Sequence, residues 1–461
     1  MMTVSKMLLR WFVVWVACLC CTVCMAQIEV PPGMRIATFD IDATPPVGSF
    51  LAYDACVNRG ELGLRARGIV LLGADKPIVL CAIDWVGIGS GGHDAFRQTI
   101  ADAAGTEMRR VAVHTVHQHD APGCDFTAEQ ILKDHGITPR RYEGTFHREL
   151  LERLGKAVRA ALEKAQPVTH LGLGSAKVEA VASNRRVKGP DGKVGPMRGS
   201  SCKNADLRAA PEGLFDPDVS LVSFWNGDKL VAVLSYYAVH PQSYYRTGIA
   251  NPDYPGIARF LRQSAVPQAL HIHFNGAGGN VAAGKYNDGS PENRLVLAER
   301  LADGMRRAWE ATKRTPVTSN DVHWSVLPVA LPPGPHLDKA LLEARMQEEK
   351  DMTVVEDCAR KLGWLERCTA GTRTDLSCLA VGRARILHLP GEPFVEYQLH
   401  AKGARPDLFV AMAGYGDYAP GYIGTAVAYD EGGYETEPRS SNVAPEVEEV
   451  LSDAIRKLLA E

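Results

Sequence analysis

The sequence predicts an α/β protein whose core is a mixed β-sheet flanked by helices. Strand-length apolar runs interleave with longer segments of helical period along the whole chain. Hairpin-like connections join several of those runs, Asn226-Gly-Asp228 being the strongest, so the strands are not all parallel. At 46% hydrophobic and 23% charged over 461 residues, the chain can bury a large core. No repeat, low-complexity tract or linker marks a second folding unit, and residues 27–461 are read as a single domain.

The elements follow in order. Residues 1–26 read as a signal peptide: Lys6 and Arg10 are basic, Trp11 to Val23 is apolar, and Cys24-Met-Ala26 is a small-residue cleavage site before Gln27. That apolar run falls short of the roughly 20 residues a membrane-crossing helix needs. Export is therefore expected, with lipid anchoring through Val16-Ala17-Cys18 as the alternative, and no other segment is expected to span a membrane. Strands are expected at 36–42, 64–72 and 77–88, a helix at 93–104, and then an apolar strand running into histidines. A helix at 141–164 carries Leu150, Leu151, Leu154, Val158 and Leu162 on one face, and 183–201 is a Gly/Lys/Arg-rich loop. Strands are expected at 219–225, 230–237, 269–274, 385–389 and 408–412. Helices are expected at 254–263, 293–312, 337–362, 392–402 and 444–459.

The formal charge is −3, about −5 without Lys6 and Arg10, which gives no electrostatic case for nucleic acid or anionic membrane as a partner. Seven cysteines follow the leader, an odd number whose pairing is not readable. Cys358 with Cys368 or Cys378, and Cys124 with Cys202, are the candidate bridges. No Cys-x-x-Cys occurs after the leader, which argues against a cysteine zinc site.

Candidate chemistry centres on Val111-Ala-Val-His114-Thr-Val-His117-Gln-His119-Asp120, which holds three of the fourteen histidines. Strand alternation would point His117 and His119 one way and His114 the other. Two such imidazoles can share a divalent metal, or one can bind metal while the other moves protons; hydrogen-bonded structural histidines are the plain alternative. Four further segments place polar residues at the ends of apolar runs. These are Ser235-Tyr-Tyr-Ala-Val-His240, the glycine-rich turn Phe274-Asn-Gly-Ala-Gly-Gly-Asn280, Pro390-Gly-Glu392, and the Tyr/Gly-rich stretch from Gly414 to Glu435. The glycine turn lacks the Gly-Lys-Ser/Thr of a Walker loop and the Gly-x-Gly-x-x-Gly of a dinucleotide site.

Together these segments resemble the neutral (non-lysosomal) ceramidase family in its N-terminal catalytic domain, from Asp42 to about Glu435. His117-Gln-His119-Asp-Ala-Pro-Gly123 is similar to the family's His-Thr-His-Ser-Gly-Pro-Gly. Asn184-Arg185-Arg186 resembles its Asn-Arg-Ser, Tyr237-Ala-Val-His240 its Phe-Ala-Val-His, and Pro390-Gly-Glu392 its Pro-Gly-Glu. Tyr429 and Tyr434-Glu435 mirror its Glu-Tyr and Tyr-Glu. The resemblance implies one zinc per chain, held by His117, His240, Glu392 and Tyr429. It also implies a zinc-bound water as nucleophile, His119 as catalytic histidine, Arg185 as a substrate-binding cation, and Asn280 lining the pocket.

Two positions depart from the family pattern, Ala282 replacing a serine and Ser441 a tyrosine, and a protein without the family's C-terminal immunoglobulin-like domain is expected. The expected function is an exported zinc-dependent hydrolase of amide bonds acting on a small-molecule or lipid-like N-acyl substrate. The alternatives are a zinc hydrolase of a non-lipid amide or ester, and a zinc-containing binding protein that has lost turnover. An apolar pocket would favour a lipid, a polar one sugars or peptides.

Overall fold

Three β-sheets, each ending in one parallel pair, organise the chain in a computed structural model that describes residues 33–460. The predicted leader at 1–26 lies outside the described residues. The first sheet runs Val111–Thr115, Asp75–Ile83, Arg65–Gly73, Arg35–Asp42 and Gln166–Pro167, and only its Val111–Thr115 edge pairs in parallel. The second runs Leu270–Asn275, Lys229–Tyr237, Asp218–Asn226, His170–Lys177 and Lys313–Pro316, with Leu270–Asn275 the parallel edge. The third runs Val322–Val329, Thr374–Val381, Ala384–His388 and Phe409–Ala413, again closing on a parallel edge strand.

Period-two alternation sorts the side chains into two kinds of core. In the first sheet Ile69 and Leu71 point inward, into a cluster shared with Leu234 and Ile272 of the second sheet and Leu379 and Ile386 of the third. Val70 and Leu72 point outward, against the helices Ser90–Ala104 and Thr145–Leu162. The second sheet buries its outer face under Asp253–Ala265 and Glu292–Glu310, and the third under Val395–Ala404 and Val447–Ala460. Each fully buried Ile, Leu or Val contributes about 1.5–3 kcal/mol, so the inner faces hold the three sheets together. The described residues form one compact unit.

The mixed α/β architecture is the expected one, with particular departures. Phe126–Asp134 is a helix, started by Asp125, whose side chain accepts the N–H groups of Thr127 and Ala128. The expected helix at 337–362 is two, Lys339–Glu348 and Met352–Thr369, the second capped by Asp351. His170–Lys177, Val322–Val329 and Thr374–Val381 are strands outside the sequence reading. Two glycines dilute the first, and Pro328 argues against the second. The candidate disulfides do not form: Cys124, Cys202, Cys358 and Cys368 are free thiols. Among the described residues no helix is long and apolar enough to cross a membrane.

Candidate metal centre and cleft

The chain leaves the strands of the three parallel pairs toward a common point. His117 lies just beyond Val111–Thr115, His240 beyond Lys229–Tyr237 and Glu392 beyond Ala384–His388. The carboxyl ends of parallel strands are where α/β folds place ligands. His117 has a left-handed backbone, φ +74°, and its N–H donates to the Trp85 carbonyl, 2.9 Å. Strand alternation therefore stops at Thr115, and the turn rather than the pleat brings His117 and His119 together. His114 stays in the strand, turned away, with Nδ1 2.6 Å from the Gly414 carbonyl oxygen.

Four lone-pair-bearing atoms converge. Nε2 of His117 and Nε2 of His119 are 3.2 Å apart. Glu392 Oε2 lies 3.3 Å from His117 Nε2 and 3.2 Å from His240 Nε2, yet no donor is directed at it. The imidazole orientations are fixed from behind. His117 Nδ1 faces the Val86 carbonyl at 2.5 Å and His240 Nδ1 the Gly278 carbonyl at 2.9 Å. A carbonyl only accepts, so in both rings Nδ1 carries the hydrogen and Nε2 presents its lone pair to the centre. His119 differs: its Nδ1 meets the Tyr53 hydroxyl at 3.1 Å, a group that can donate or accept, so both of its tautomers are open.

Charge follows the same pattern. Burial, and then the neighbouring imidazoles of His117 and His240, hold His119 well below the ordinary histidine range. Burial and the Arg185 charge lower His240 to about 4. Imidazole nitrogens around a buried carboxylate oxygen without a donor form a donor set that fits a divalent cation, and all-N/O ligation suits zinc. The buried group His117, His119 and His240 can hold a metal ion, its ligating atoms all within 4.8 Å of one another.

Comparison with solved structures agrees with this architecture. A structure titled "Ceramidase complexed with C2" matches with a TM-score of 0.66 at 15% identity, covering 93% of this chain and 75% of the other. The neutral ceramidase from Pseudomonas aeruginosa matches with a TM-score of 0.65 at 14% identity, covering 93% and 74%. The fold is ceramidase-like. No model of a known protein family matches the chain, and no curated protein does.

Within this ceramidase-like fold, three expected site residues are placed differently. Tyr429 sits in the short helix Ala426–Glu431, where its hydroxyl bonds Ser441 Oγ at 3.0 Å instead of facing the histidines. Tyr422 stands there in its place. Its backbone pairs in register beside Glu392, and its hydroxyl lies 3.1 Å from His240 Nε2 and 3.3 Å from the Tyr434 hydroxyl. Arg185 does not reach the cleft wall. It is buried behind the tyrosines, 2.9 Å from Glu435 Oε1, with its guanidinium 5.2 Å from the Tyr422 ring and 4.9 Å from the Tyr434 ring. Asn280 is also off the wall. Its amide donates to Glu396 Oε2 at 2.8 Å and its carbonyl oxygen accepts the Val395 N–H at 2.9 Å, which fastens the start of that helix.

The glycine-rich turn has a packing reason. A Cβ on Gly279 would come within 2.4 Å of the Glu392 carbonyl oxygen, and one on Gly278 within 3.0 Å of the Val239 backbone. The turn is thus wedged between the segments that carry His240 and Glu392. Ala282 is buried and paired with Ser183, away from the cleft, and Ser441 Oγ donates to the Tyr422 carbonyl at 2.9 Å.

The centre opens into a cleft of about 550 Å³. Sequence reasoning missed several residues around the centre. Tyr53 meets His119, the Tyr418 hydroxyl donates to Glu392 Oε1 at 2.7 Å, and Tyr415 stacks on the His117 ring at 4.5 Å. The Tyr/Gly-rich stretch from Gly414 was the available signal for the last two, while nothing in the sequence marks Tyr53.

Proposed function

We propose that this protein is an exported zinc-dependent amide hydrolase, with zinc held by His117, His240, Glu392 and Tyr422. The observation that carries the reading is Glu392 Oε2, buried without a donor and facing two imidazole nitrogens whose hydrogens are committed elsewhere. Likeness to ceramidases, which are amide hydrolases, supports the reaction class. Lys6, Arg10 and the apolar run after them support export of a single catalytic domain, 27–461.

Zinc, when bound, acts as a Lewis acid toward the amide carbonyl and lowers the pKa of water. Hydrolysis adds water across the C–N bond: the acyl carbon gains the oxygen and the leaving nitrogen gains a proton. His119 is the residue suited to carry that proton. It is neutral, its Nε2 faces the centre, and the Tyr53 hydroxyl can serve either tautomer of the ring. The hydroxyl of Tyr434, 3.3 Å from that of Tyr422, stands as a donor for the oxygen that develops charge. Arg185 positions those two tyrosines from behind.

Metal analysis of the purified protein beside His117→Ala, followed by assay of N-acyl amides and esters, tests the reading. About one zinc per chain, lost in the variant, together with amide turnover is the expected result. Zinc absent from both proteins removes the metal assignment, and a zinc-loaded protein that leaves every amide intact removes the hydrolase.

A further inference from the structure

We propose that the cleft takes a small, polar amide bearing a carboxylate, of the class of N-acylated amino acids, with the carboxylate seated on Arg141. This rests on the amide hydrolase reading and specifies its substrate.

The first ground is the wall. Among the described residues Ala52 and Val86 are its aliphatic side chains, and no Leu, Ile, Phe, Met or Trp lines it. A long acyl chain is received best by aliphatic side chains, and this cleft offers only those two small ones. The aromatic rings present are those of tyrosine and histidine, each with a polar atom.

The second ground is the charge. Three arginines line the cleft, and two are neutralised by the protein itself. Arg360 bonds Asp357 at 2.7 Å, and Arg439 bonds Glu437 at 2.7 Å. Arg141 is the exception. Among the described residues no carboxylate lies within ion-pair distance of its guanidinium, and its Nε is sealed from solvent without an acceptor. Glu356, whose charge acts on Arg141, spends one oxygen on the backbone N–H groups of Arg140 and Arg141 and the other on the Arg140 side chain, 3.5 Å away. The guanidinium of Arg141 instead neighbours the phenols of Tyr142 and Tyr53. Tyr53 is the residue that bonds His119, which puts the unmatched cation and the catalytic centre on the same wall. A guanidinium without a carboxylate, partly withdrawn from water, is the planar fork that a carboxylate fits.

The test uses the zinc-loaded full chain, with N-acetyl amino acids, their neutral carboxamides and a short-chain ceramide as probes. N-succinyl amines place the carboxylate on the acyl side and distinguish which end Arg141 reads. The acids of one series should be preferred over their uncharged analogues by about 10- to 100-fold in kcat/KM, the range for a charge-assisted bond. Arg141→Gln should collapse that preference toward unity, and Arg141→Lys should keep part of it. Calorimetry of the N-acetyl amino acids gives a readout independent of turnover, with binding expected in the wild type and lost in Arg141→Gln. Equal use of acids and carboxamides, preference for ceramide, or an undiminished preference in a folded Arg141→Gln overturns the proposal while leaving the hydrolase standing. If no amide is cleaved the hydrolase falls. Calorimetric binding that depends on Arg141 then still upholds the carboxylate site, and its absence overturns it.

Discussion

Glu392 Oε2 stands 3.2 Å from Nε2 of His240, two acceptors facing each other with no hydrogen between them. Such a contact is repulsive unless a cation or a proton joins it. Glu392→Gln replaces the charged oxygen with a group that can donate. The variant should lose zinc affinity by at least about 100-fold, beyond what loss of an outer partner costs. It should also unfold at a higher temperature than the wild type when both are stripped of metal. Zinc titration by calorimetry and paired melting curves read both effects; wild-type zinc affinity in the variant contradicts the ligand assignment.

Tyr422 and Tyr429 separate by the same kind of measurement. Tyr422→Phe removes the hydroxyl 3.1 Å from His240 Nε2, whereas Tyr429→Phe removes one bonded to Ser441. Zinc affinity and amide turnover should fall at least about tenfold in the first variant. In the second, stability should fall by about 1 kcal/mol with zinc affinity unchanged. The reverse pattern restores Tyr429 to the site.

That pair also shows what the sequence made legible. The α/β class and most strands and helices were readable from the periodicity of apolar residues, and the meeting of His117, His119, His240 and Glu392 was implied by the resemblance of their segments to a known family. The tyrosine was not, since a loop of several tyrosines gives no register. The in-register pairing of Tyr422 with Glu392 is a tertiary fact. Arg185 and Asn280 were misplaced for a related reason: a polar residue near a site in sequence does not reveal that Glu435 or Glu396 already claims it. Arg141 gives no signal at all, because being unpaired is a property of its surroundings.

Glu435 holds two buried arginines, Arg185 at 2.9 Å and Arg186 at 3.1 Å. Removing one partner from a buried ion pair leaves an uncompensated charge. Glu435→Gln should therefore lower unfolding free energy by about 3–5 kcal/mol in urea titration. Loosened packing of Arg185 against Tyr422 and Tyr434 should lower kcat more than it raises KM. A loss below 1 kcal/mol would show that the pair contributes little to the fold.

Acid should destabilise this protein well before its carboxylates are protonated. Burial lowers His273 and His388 to about 3 and His271 to about 4, so the folded state keeps them neutral, while the unfolded chain protonates them near the ordinary 6.5. A depressed folded pKa contributes stability that is present above pH 6.5 and is lost as pH falls through the window down to about 3. Asp125 works in the opposite direction. Burial raises it to about 7 from 3.8, so between those values the folded state holds the extra proton and gains stability as pH falls. Among these four groups, three histidines against one aspartate leave the unfolded state with the larger proton uptake. Unfolding free energy should drop by about 1–3 kcal/mol per pH unit between pH 6 and 5, at about 1.4 kcal/mol for each net proton. Asp125→Asn keeps a helix cap but removes the opposing proton, so its acid loss should be steeper than that of the wild type. His388→Gln should make the loss shallower. Urea midpoints at pH 6.5, 5.5 and 4.5 decide the matter: a flat profile, or one that Asp125→Asn leaves unchanged, shows that these buried groups do not govern the acid limb.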